Sequence, residues 1–256
     1  MILAVDIGNT NIVIGGFDNE KFIFTERLAT NHSKTAREYY IGIKNALLLN
    51  NISLSDIEGA VISSVVPSVT GTVEESLSEI VPCDRIFIAG YKAETGINKM
   101  LVDSPEKIGT DRIVDASAVI AYYSLPAVII DMGTATTISV IDSDKNFIGG
   151  IIMAGVKTSF EALFGNTSQL PKVSFEAPEN IIGKNTSDCM KSGLIYGTAS
   201  CIDGLLSRIE KSLNQKITAV ATGGMSGLVI PHCEHEIIHD ENLLLKGLVN
   251  IYRQNN

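Results

Sequence analysis

Short apolar runs rich in β-branched residues alternate along this chain with longer amphipathic stretches, a pattern that predicts an α/β fold. Three such runs, at residues 2–5, 12–17 and 21–27, predict three consecutive strands at the N-terminus. A helix is predicted over residues 35–50, because Glu38 follows Thr35 at the spacing of a capping box. The chain therefore begins with a β-meander that leads into a helix.

The later elements are predicted from the same patterns. In the first half of the chain we expect strands at 59–65 and 85–89, and helices at 69–80 and 111–123. The pattern starts again after Pro126. In the second half the expected strands are 127–131, 136–142, 146–153 and 216–221, and the expected helices are 157–163, 186–212 and 242–253.

One motif heads both halves. The first strand runs into Asp6-Ile7-Gly8, and the first strand after Pro126 runs into Asp131-Met132-Gly133. Polar residues and two further strands follow each copy. Repetition at half the chain length indicates an internal duplication. We therefore predict two domains, residues 1–125 and 126–256, with a cleft between them.

Composition restricts the class of ligand. The 256 residues include 20 basic and 29 acidic side chains, which gives a formal net charge of −9 at pH 7. This acidic balance argues against nucleic acid and against an anionic membrane surface as partners. A phosphate-bearing ligand would need local backbone N–H groups or a metal ion to offset the overall field.

Cysteine usage and the N-terminus predict a soluble, cytoplasmic protein. Cys83, Cys189, Cys201 and Cys233 are far apart and show no metal-binding spacing, so we expect buried free thiols. The N-terminus lacks the basic segment of a signal peptide. No apolar run approaches the ~18 residues of a membrane span.

The two repeated motifs are candidate phosphate loops. In the first, Gly8 permits a tight turn whose N–H groups face an anion, and Asn9 and Thr10 add side-chain donors. Asp6 can hold Mg²⁺ through water. The second loop, residues 131–137, carries three threonines around Gly133. Each loop alone is also compatible with an ordinary hairpin turn.

Two further segments carry candidate chemistry. Thr222-Gly223-Gly224 would let a flat nucleotide approach bare backbone at a strand end. The segment 109–112 leads into a helix, where Asp111 is either a helix cap or a proton acceptor for a substrate hydroxyl. Arg112 could grip a carboxylate or a phosphate.

Other positions are less specific. Gly193 and Gly197 permit close approach of another helix, either within the chain or from a second subunit. The four histidines show no partner pattern, and a solvated surface turn is expected for His232 and His235.

In combination, these motifs resemble a known family. The matching stretches are 6–11, 62–67, 109–113, 131–137, 149–150, 182–186, 222–224 and 245–248. In their order and over nearly the whole chain they are similar to the type III pantothenate kinases of the acetate/sugar kinase–Hsp70–actin superfamily. The resemblance implies two duplicated ribonuclease H-like (actin-like ATPase) halves, each a mixed sheet flanked by helices. The N-terminal half would hold the first phosphate loop and the substrate loop, and the C-terminal half the second phosphate loop and the dimerisation helices.

The resemblance also implies an activity and its site. The activity is ATP-dependent phosphorylation of pantothenate to 4′-phosphopantothenate, the first step towards coenzyme A, with Mg²⁺ and a monovalent cation (K⁺ or NH₄⁺) in a homodimer. The ATP contacts would come from Asp6, Ile7, Gly8, Asn9, Thr10, Asn11, Ile12, Val13 and Thr134. The monovalent cation would bind Asp131. Pantothenate would contact Gly109, Thr110, Asp111, Arg112 and Thr186, with Asp111 as the catalytic proton acceptor.

The chain departs from the family pattern near the expected substrate site. A Gly-Pro-Gly is absent around residues 88–92, and Val102, Ala154 and Asp115 replace a Tyr, a Pro and an Asn. These differences leave three alternatives open. The chain could be a nucleotide-binding regulatory relative with little turnover, a kinase for a different small alcohol, or a phosphatase or polyphosphate hydrolase of the same superfamily fold.

Overall fold

A computed structural model describes residues 1–90, 92–167 and 170–256, which form two compact units. Unit 1 comprises residues 1–97, 103–121 and 243–256. Unit 2 comprises residues 98–102 and 122–242. Tyr91, which falls in the segment lacking the family's Gly-Pro-Gly, lies outside the described residues.

Unit 1 is built on a five-stranded mixed sheet. Its strands are β1 (Ile2–Ile7), β2 (Asn11–Asp18), β3 (Lys21–Ala29), β4 (Gly59–Ser64) and β5 (Ile86–Ile88). Their order in the sheet is β3-β2-β1-β4-β5. The meander β1–β3 is antiparallel, and β4 and β5 add in parallel after helical crossovers. The predicted β-meander is therefore confirmed.

Helices cover both faces of this sheet. They are α1 (Ala36–Leu49), α2 (Pro67–Ser78), α3 (Thr110–Tyr122) and α7 (Leu243–Asn255). Because side chains alternate along a strand, Leu3 and Val5 of β1 pack in one core with α1 and α2, while Ala4 packs with Val114 of α3 and Leu248 of α7. The capping box between Thr35 and Glu38 begins α1 as predicted.

Unit 2 repeats this architecture. Its strands are β6 (Ala127–Met132), β7 (Ala135–Ile141), β8 (Phe147–Ala154), β9 (Thr218–Thr222) and β10 (Ile237–His239), in the order β10-β9-β6-β7-β8. Its helices are α4 (Val156–Gly165), α5 (Thr186–Leu213) and the four-residue α6 (Ser226–Val229). Strand β6 is antiparallel to β7 and parallel to β9, as β1 is to β2 and β4. The predicted fold class, two mixed sheets flanked by helices, is confirmed.

The compact units differ from a simple cut of the chain into 1–125 and 126–256. Helix α7 belongs to unit 1, although it comes from the C-terminal end of the chain. The physical reason is its apolar face, since Leu245, Leu248 and Ile251 are buried in the core that contains Ala4. The repeat itself stays a prediction from the sequence.

Several local expectations were wrong or incomplete. The thiols are free but not buried, because Cys83, Cys189 and Cys201 are exposed and Cys233 is half-buried. Strand β10 was not predicted, because its only apolar residues, Ile237 and Ile238, stand between polar residues on both sides. Within the described residues, no helix has the length and apolarity needed to cross a membrane.

Candidate active site

The turn between β1 and β2 forms the first predicted phosphate loop. Its closing bond runs from the N–H of Gly8 to the carbonyl oxygen of Asn11, at 3.0 Å. Thr30, just beyond β3, donates its hydroxyl to Gly8 O at 2.6 Å and its N–H to Thr10 O at 3.0 Å. Two turn carbonyls are thereby occupied, while Asn9, Thr10 and Asn11 are exposed. The turn can thus offer amide and hydroxyl donors to an anion.

The residues on either side of this turn differ in how far their side chains are buried. Ile7 and Ile12 are buried in the core, so their contribution near the turn is main chain alone. Asp6 is half-buried, and strand register places it beside Val13 and Ser63. Paired residues point to the same face of a sheet, so the Asp6 carboxylate shares its face with the buried Ser63 hydroxyl.

The donor chemistry at Asp6 fits Mg²⁺ held largely through water. A carboxylate is the usual protein ligand of Mg²⁺, which keeps several waters and binds substrate phosphates. In the part of the chain that the structure describes, no group of three or more His, Cys, Asp or Glu side chains could hold a metal ion. A closed protein cage is therefore not the mode of binding that Asp6 offers.

The predicted substrate segment forms the first turn of α3. Gly109 O accepts bonds from the N–H groups of Arg112 and Ile113, at 3.1 and 3.3 Å. A Cβ at position 109 would overlap Asp111 Oδ1, so only glycine leaves the carboxylate in its place. Asp111 Oδ1 also accepts from the N–H of Arg112 at 2.8 Å. An acid in the first helical turn is stabilised by the helix dipole.

Arg112 is partly buried beside Asp111. Burial lowers the pKa of the Arg112 guanidinium, and the negative charge of Asp111 partly opposes this effect. A guanidinium stays protonated in proteins, so Arg112 provides a fixed positive charge with several donors. The pair Asp111–Arg112 thus places an acceptor and a cation at adjacent positions of α3.

The turn between β6 and β7 forms the second predicted phosphate loop. Gly133 N–H donates to Ala135 O at 3.1 Å, which closes the turn. Thr134 is exposed, and its carbonyl accepts the Gly155 N–H at 3.1 Å and the Thr158 hydroxyl at 2.8 Å. A Cβ on Gly155 would overlap the carbonyl oxygens of Gly133 and Thr134, so the start of α4 packs directly against this turn. Sequence reasoning missed Gly155 and Thr158 as supports.

Asp131 lies in a row of oxygen-bearing side chains. It pairs with Thr137 on β7 and with Thr222 on β9, and all three therefore point to one face of the sheet. Both Asp131 carboxylate oxygens lie 3.8 Å from the position a Cβ on Gly133 would take. One carboxylate with neighbouring hydroxyl oxygens is a hard donor set, which fits an alkali cation such as K⁺.

The Thr222-Gly223-Gly224 turn packs against Asp131. Gly223 has φ +91°, a left-handed conformation that favours glycine. A Cβ there would overlap Asp131 Oδ1 and lie 2.6 Å from the Met132 nitrogen. The Met225 N–H donates to Met132 O at 3.2 Å. The structure thus brings together the predicted second phosphate loop and the predicted glycine turn.

Thr186 is exposed in the first turn of α5. The helix is capped by Asn185, whose side chain accepts the Asp188 N–H at 2.9 Å. No hydrogen bond among the described residues joins Thr186 to the β6–β7 turn. Further along α5, a Cβ at Gly193 or Gly197 would meet no described atom within 4 Å. Packing among the described residues therefore does not explain these two glycines.

The histidine expectation was wrong. His235 is half-buried, and its Nδ1 lies 3.0 Å from the Asp203 carboxylate. His239 hydrogen-bonds through Nε2 to the buried hydroxyl of Ser226 at 2.8 Å. Neither partner could be identified from the sequence, because each lies more than ten residues away with no repeating spacing.

Comparison with known proteins places the chain in a family. The model of type III pantothenate kinase matches residues 2–208. A type III pantothenate kinase of Halalkalibacterium halodurans is 38% identical, with 100% of both chains covered. Another, of Exiguobacterium sp., is 38% identical over 100% of this chain and 99% of its own.

A solved structure supports the fold independently. The activator of the 2-hydroxyisocaproyl-CoA dehydratase from Clostridium difficile, with bound ADPNP, has a TM-score of 0.54 at 12% identity. It covers 99% of this chain and 93% of its own, and at this identity the likeness concerns the fold alone. The sequence matches reach further, and on them the chain belongs to the type III pantothenate kinase family.

Proposed function

We propose that this protein transfers the γ-phosphate of ATP to pantothenate and so makes 4′-phosphopantothenate, the first step towards coenzyme A. The observation that carries the proposal is 38% identity with a type III pantothenate kinase over the full length of both chains. Phosphoryl transfer depends mainly on positioning and on charge neutralisation. The exposed turns and the Asp111–Arg112 pair supply groups of both kinds.

Each unit offers a β-hairpin turn whose donors can bind ATP phosphate. In unit 1, the residues 6–13 provide the first turn, with Asn9, Thr10 and Asn11 exposed as donors. In unit 2, Thr134 provides an exposed hydroxyl on a turn that is fixed through its carbonyl. Preorganised donors need no rearrangement when charge develops on the transferring group. They also offset the repulsion that a net charge of −9 imposes on an anion.

Asp111 accepts the proton of the pantothenate hydroxyl, and Arg112 holds the pantothenate carboxylate. Asp111 Oδ1 is already oriented by the Arg112 N–H, which fixes the carboxylate before substrate binds. The remaining contacts to pantothenate come from Gly109, Thr110 and Thr186. Asp115, one helical turn after Asp111, is buried where the family pattern has Asn, and it is a candidate for tuning acceptor choice.

Two cations complete the proposed site. Asp6 holds Mg²⁺ through water, and Asp131 with the hydroxyls of Thr137 and Thr222 holds K⁺ or NH₄⁺. Bound cations neutralise phosphate charge during transfer. The residues themselves contribute oxygen donors on fixed strands, so that their positions do not depend on loop motion. A cytoplasmic location, where ATP and K⁺ are both abundant, remains part of the proposal.

The test is a coupled assay of ADP release with pantothenate, with and without K⁺. Asp111→Asn keeps the shape of the side chain but removes the proton acceptor, so we expect kcat to fall by ~10²–10⁴-fold. Asp84→Asn is the matched control. Like Asp111, Asp84 is an acid in the first turn of a helix of unit 1, in this case the short helix Cys83–Arg85. This control should leave kcat within twofold of the wild type.

The outcomes separate the alternatives. The proposed function would be overturned if the wild type showed no pantothenate-dependent ADP release at saturating ATP, Mg²⁺ and K⁺. Nucleotide binding without turnover would then favour a regulatory relative. ADP release without pantothenate would favour a hydrolase, and release with another small alcohol would favour a different acceptor, as the departures at Val102, Ala154 and Asp115 suggest.

We also propose that the protein is a homodimer that associates through α5. Gly193 and Gly197 are one helical turn apart and have open space in front of them among the described residues. Exposed Ile181 and Ile182 lie just before the same helix. Small residues on a helix let a second helix approach closely.

Substitution at Gly193 tests this association. Gly193→Leu should convert the dimer to a monomer in light scattering after size-exclusion chromatography, because its side chain fills the space that a partner helix needs. Gly71→Leu is the matched control, since Gly71 is also a helical glycine with no described atom within 4 Å of its Cβ position. A monomeric wild type, or a Gly193→Leu variant that remains dimeric, would contradict the proposed interface.

A further inference from the structure

The Gly223–Gly224 peptide of unit 2 has close neighbours on both sides. On one side, a Cβ at Gly223 would overlap Asp131 Oδ1 and lie 2.6 Å from the Met132 nitrogen. On the other side, Gly223 O accepts two bonds from Ser226, one from its N–H at 3.1 Å and one from its hydroxyl at 2.6 Å. These contacts together fix the orientation of the Gly223–Gly224 peptide.

Counting protons gives the direction of the hydrogen bonds. The Ser226 hydroxyl has a single proton and donates it to Gly223 O. The bond between Ser226 Oγ and His239 Nε2, at 2.8 Å, must then be donated by the histidine. The result is a relay in which His239 Nε2–H donates to Ser226 Oγ and Ser226 Oγ–H donates to Gly223 O. We call these three residues the relay.

The two side chains of the relay, those of Ser226 and His239, belong to residues that the fold of unit 2 holds in place. Ser226 is fully buried, and His239 is in β10, whose register pairs it with Ala221 on β9. Asp240, the next residue, donates its N–H to Ala221 O at 2.9 Å, and its carboxylate accepts the Tyr123 hydroxyl at 2.6 Å. The edge strand that carries the imidazole is therefore anchored in the sheet.

The relay determines where the next N–H points. In a trans peptide the C=O and the following N–H point in opposite directions. Because Gly223 O faces Ser226, the Gly224 N–H faces away from it. A Cβ at Gly224 would meet no described atom within 4 Å, so the space on the side-chain side of this residue is open. The Gly224 N–H donates no hydrogen bond among the described residues.

We propose that His239 and Ser226 are positioning residues for the nucleotide, because they hold the Gly224 N–H towards an oxygen of bound ATP. This inference rests on the proposed function, since it assigns the ligand of the glycine turn. His239 itself does not touch the reacting atoms. Its effect is on nucleotide affinity, through the orientation of one peptide.

The test compares donors at position 239. His239→Ala removes the outer donor, and we expect the KM for ATP and the Kd for ADP, measured by calorimetry, to rise about three- to tenfold with kcat within twofold. His239→Gln retains an N–H donor and should return both constants to within twofold of the wild type. His235→Ala, which removes a half-buried histidine just before β10, is the control and should leave both unchanged.

A double substitution checks that the bonds act in series. Ser226→Ala should weaken nucleotide binding at least as much as His239→Ala, and adding His239→Ala to it should produce no further change in Kd. Unchanged constants in a folded His239→Ala variant would overturn the relay. Failure of His239→Gln to restore binding, at an unchanged melting temperature, would also overturn it.

The experiment separates the relay from the proposed function. A wild type that binds ADP but does not phosphorylate pantothenate removes the proposed reaction, while the comparison of Kd values still tests the relay. A wild type that binds neither ADP nor ATP overturns the relay itself.

Discussion

The turns that follow Asp6 and Asp131 have equivalent places in the two sheets, yet different structures support them. In unit 1, Thr30 beyond the third strand of the meander ties the turn down through Gly8 O. In unit 2, the start of α4 takes this role, through Gly155 and the Thr158 hydroxyl. The same short motif is thus stabilised by contacts that its own sequence does not contain.

The parallel strand next to each motif shows a second difference. Ser63 on β4 pairs with Asp6, and Thr222 on β9 pairs with Asp131. Two residues after Ser63, the Val65 N–H donates to Ile7 O at 3.1 Å. The equivalent bond in unit 2 comes three residues after Thr222, where the Met225 N–H donates to Met132 O at 3.2 Å.

In unit 2 the connection from Thr222 to Met225 is one residue longer than its equivalent in unit 1, and this extra length explains why the connection contains Gly223 and Gly224. A longer connection between equivalent anchor points bulges, and Gly223 takes up the bulge with a positive φ directly against Asp131. In unit 1 the shorter connection is closed by Ser64, whose hydroxyl accepts the Val66 N–H at 3.0 Å. Unit 2 therefore exposes bare backbone where unit 1 has an ordinary side-chain turn. The two sheets thus share one strand arrangement, while the connections at their strand ends differ in length and conformation.

The largest expected effect comes from filling the bulge. Gly223→Ala places a Cβ against Asp131 and the Met132 backbone at a left-handed φ, so we expect the free energy of unfolding to fall by about 3 kcal/mol or more. Urea unfolding measures this change. Gly224→Ala, in the adjacent open position, should cost less than about 1 kcal/mol. Equal costs at the two positions would show that the bulge is not a constrained feature.

A large but specific effect is expected from the two aspartates. Asp131→Ala should abolish the response of kcat to K⁺, because it removes the only charged donor in the row formed with Thr137 and Thr222. Asp6→Ala should lower activity but retain the relative activation by K⁺, because we assign Asp6 to Mg²⁺. The measurement is ADP release over a K⁺ titration in both variants. An unchanged K⁺ response in Asp131→Ala would remove Asp131 from this role.

The smallest effect concerns the two threonines that anchor the turns. Thr30→Val and Thr158→Val each remove one hydroxyl bond to a turn carbonyl, a loss of about 1 kcal/mol that corresponds to roughly fivefold in nucleotide affinity. Thr158→Val should have the weaker effect on the KM for ATP, because Thr134 O still accepts the Gly155 N–H. The reverse order of KM values would mean that the α4 start is the dominant support.

Much of the fold follows from local signals in the sequence. The Thr35–Glu38 spacing began a helix as predicted, and Pro67 begins α2 because its ring suits the first helical turn. The hairpins around Gly8 and Gly133 formed where the Asp-x-Gly motifs predicted turns. Signals of this kind act over a few residues, so neither unit has to form before they take effect.

The candidate site was only partly predictable. The motifs predicted Asp6, Asp111 and Asp131 as site residues, but no motif pointed to Gly155, Ser226 or His239 as supports. Gly155 acts by what its missing side chain leaves open, and its partners lie about twenty residues away. The bond between His239 and Ser226 depends on β10, a strand whose two apolar residues stand among polar ones and show no strand pattern.

By itself, the sequence determined the meanders, the helix starts and the paired acidic turns, since hydrogen bonds and side-chain periodicity between near neighbours fix these features. The tertiary structure alone decided that α7 packs in unit 1, that Thr137 and Thr222 flank Asp131, and that His239 reaches Ser226. These features depend on parallel strand register between distant segments and on burial of apolar faces. Both are settled only when the whole sheet assembles.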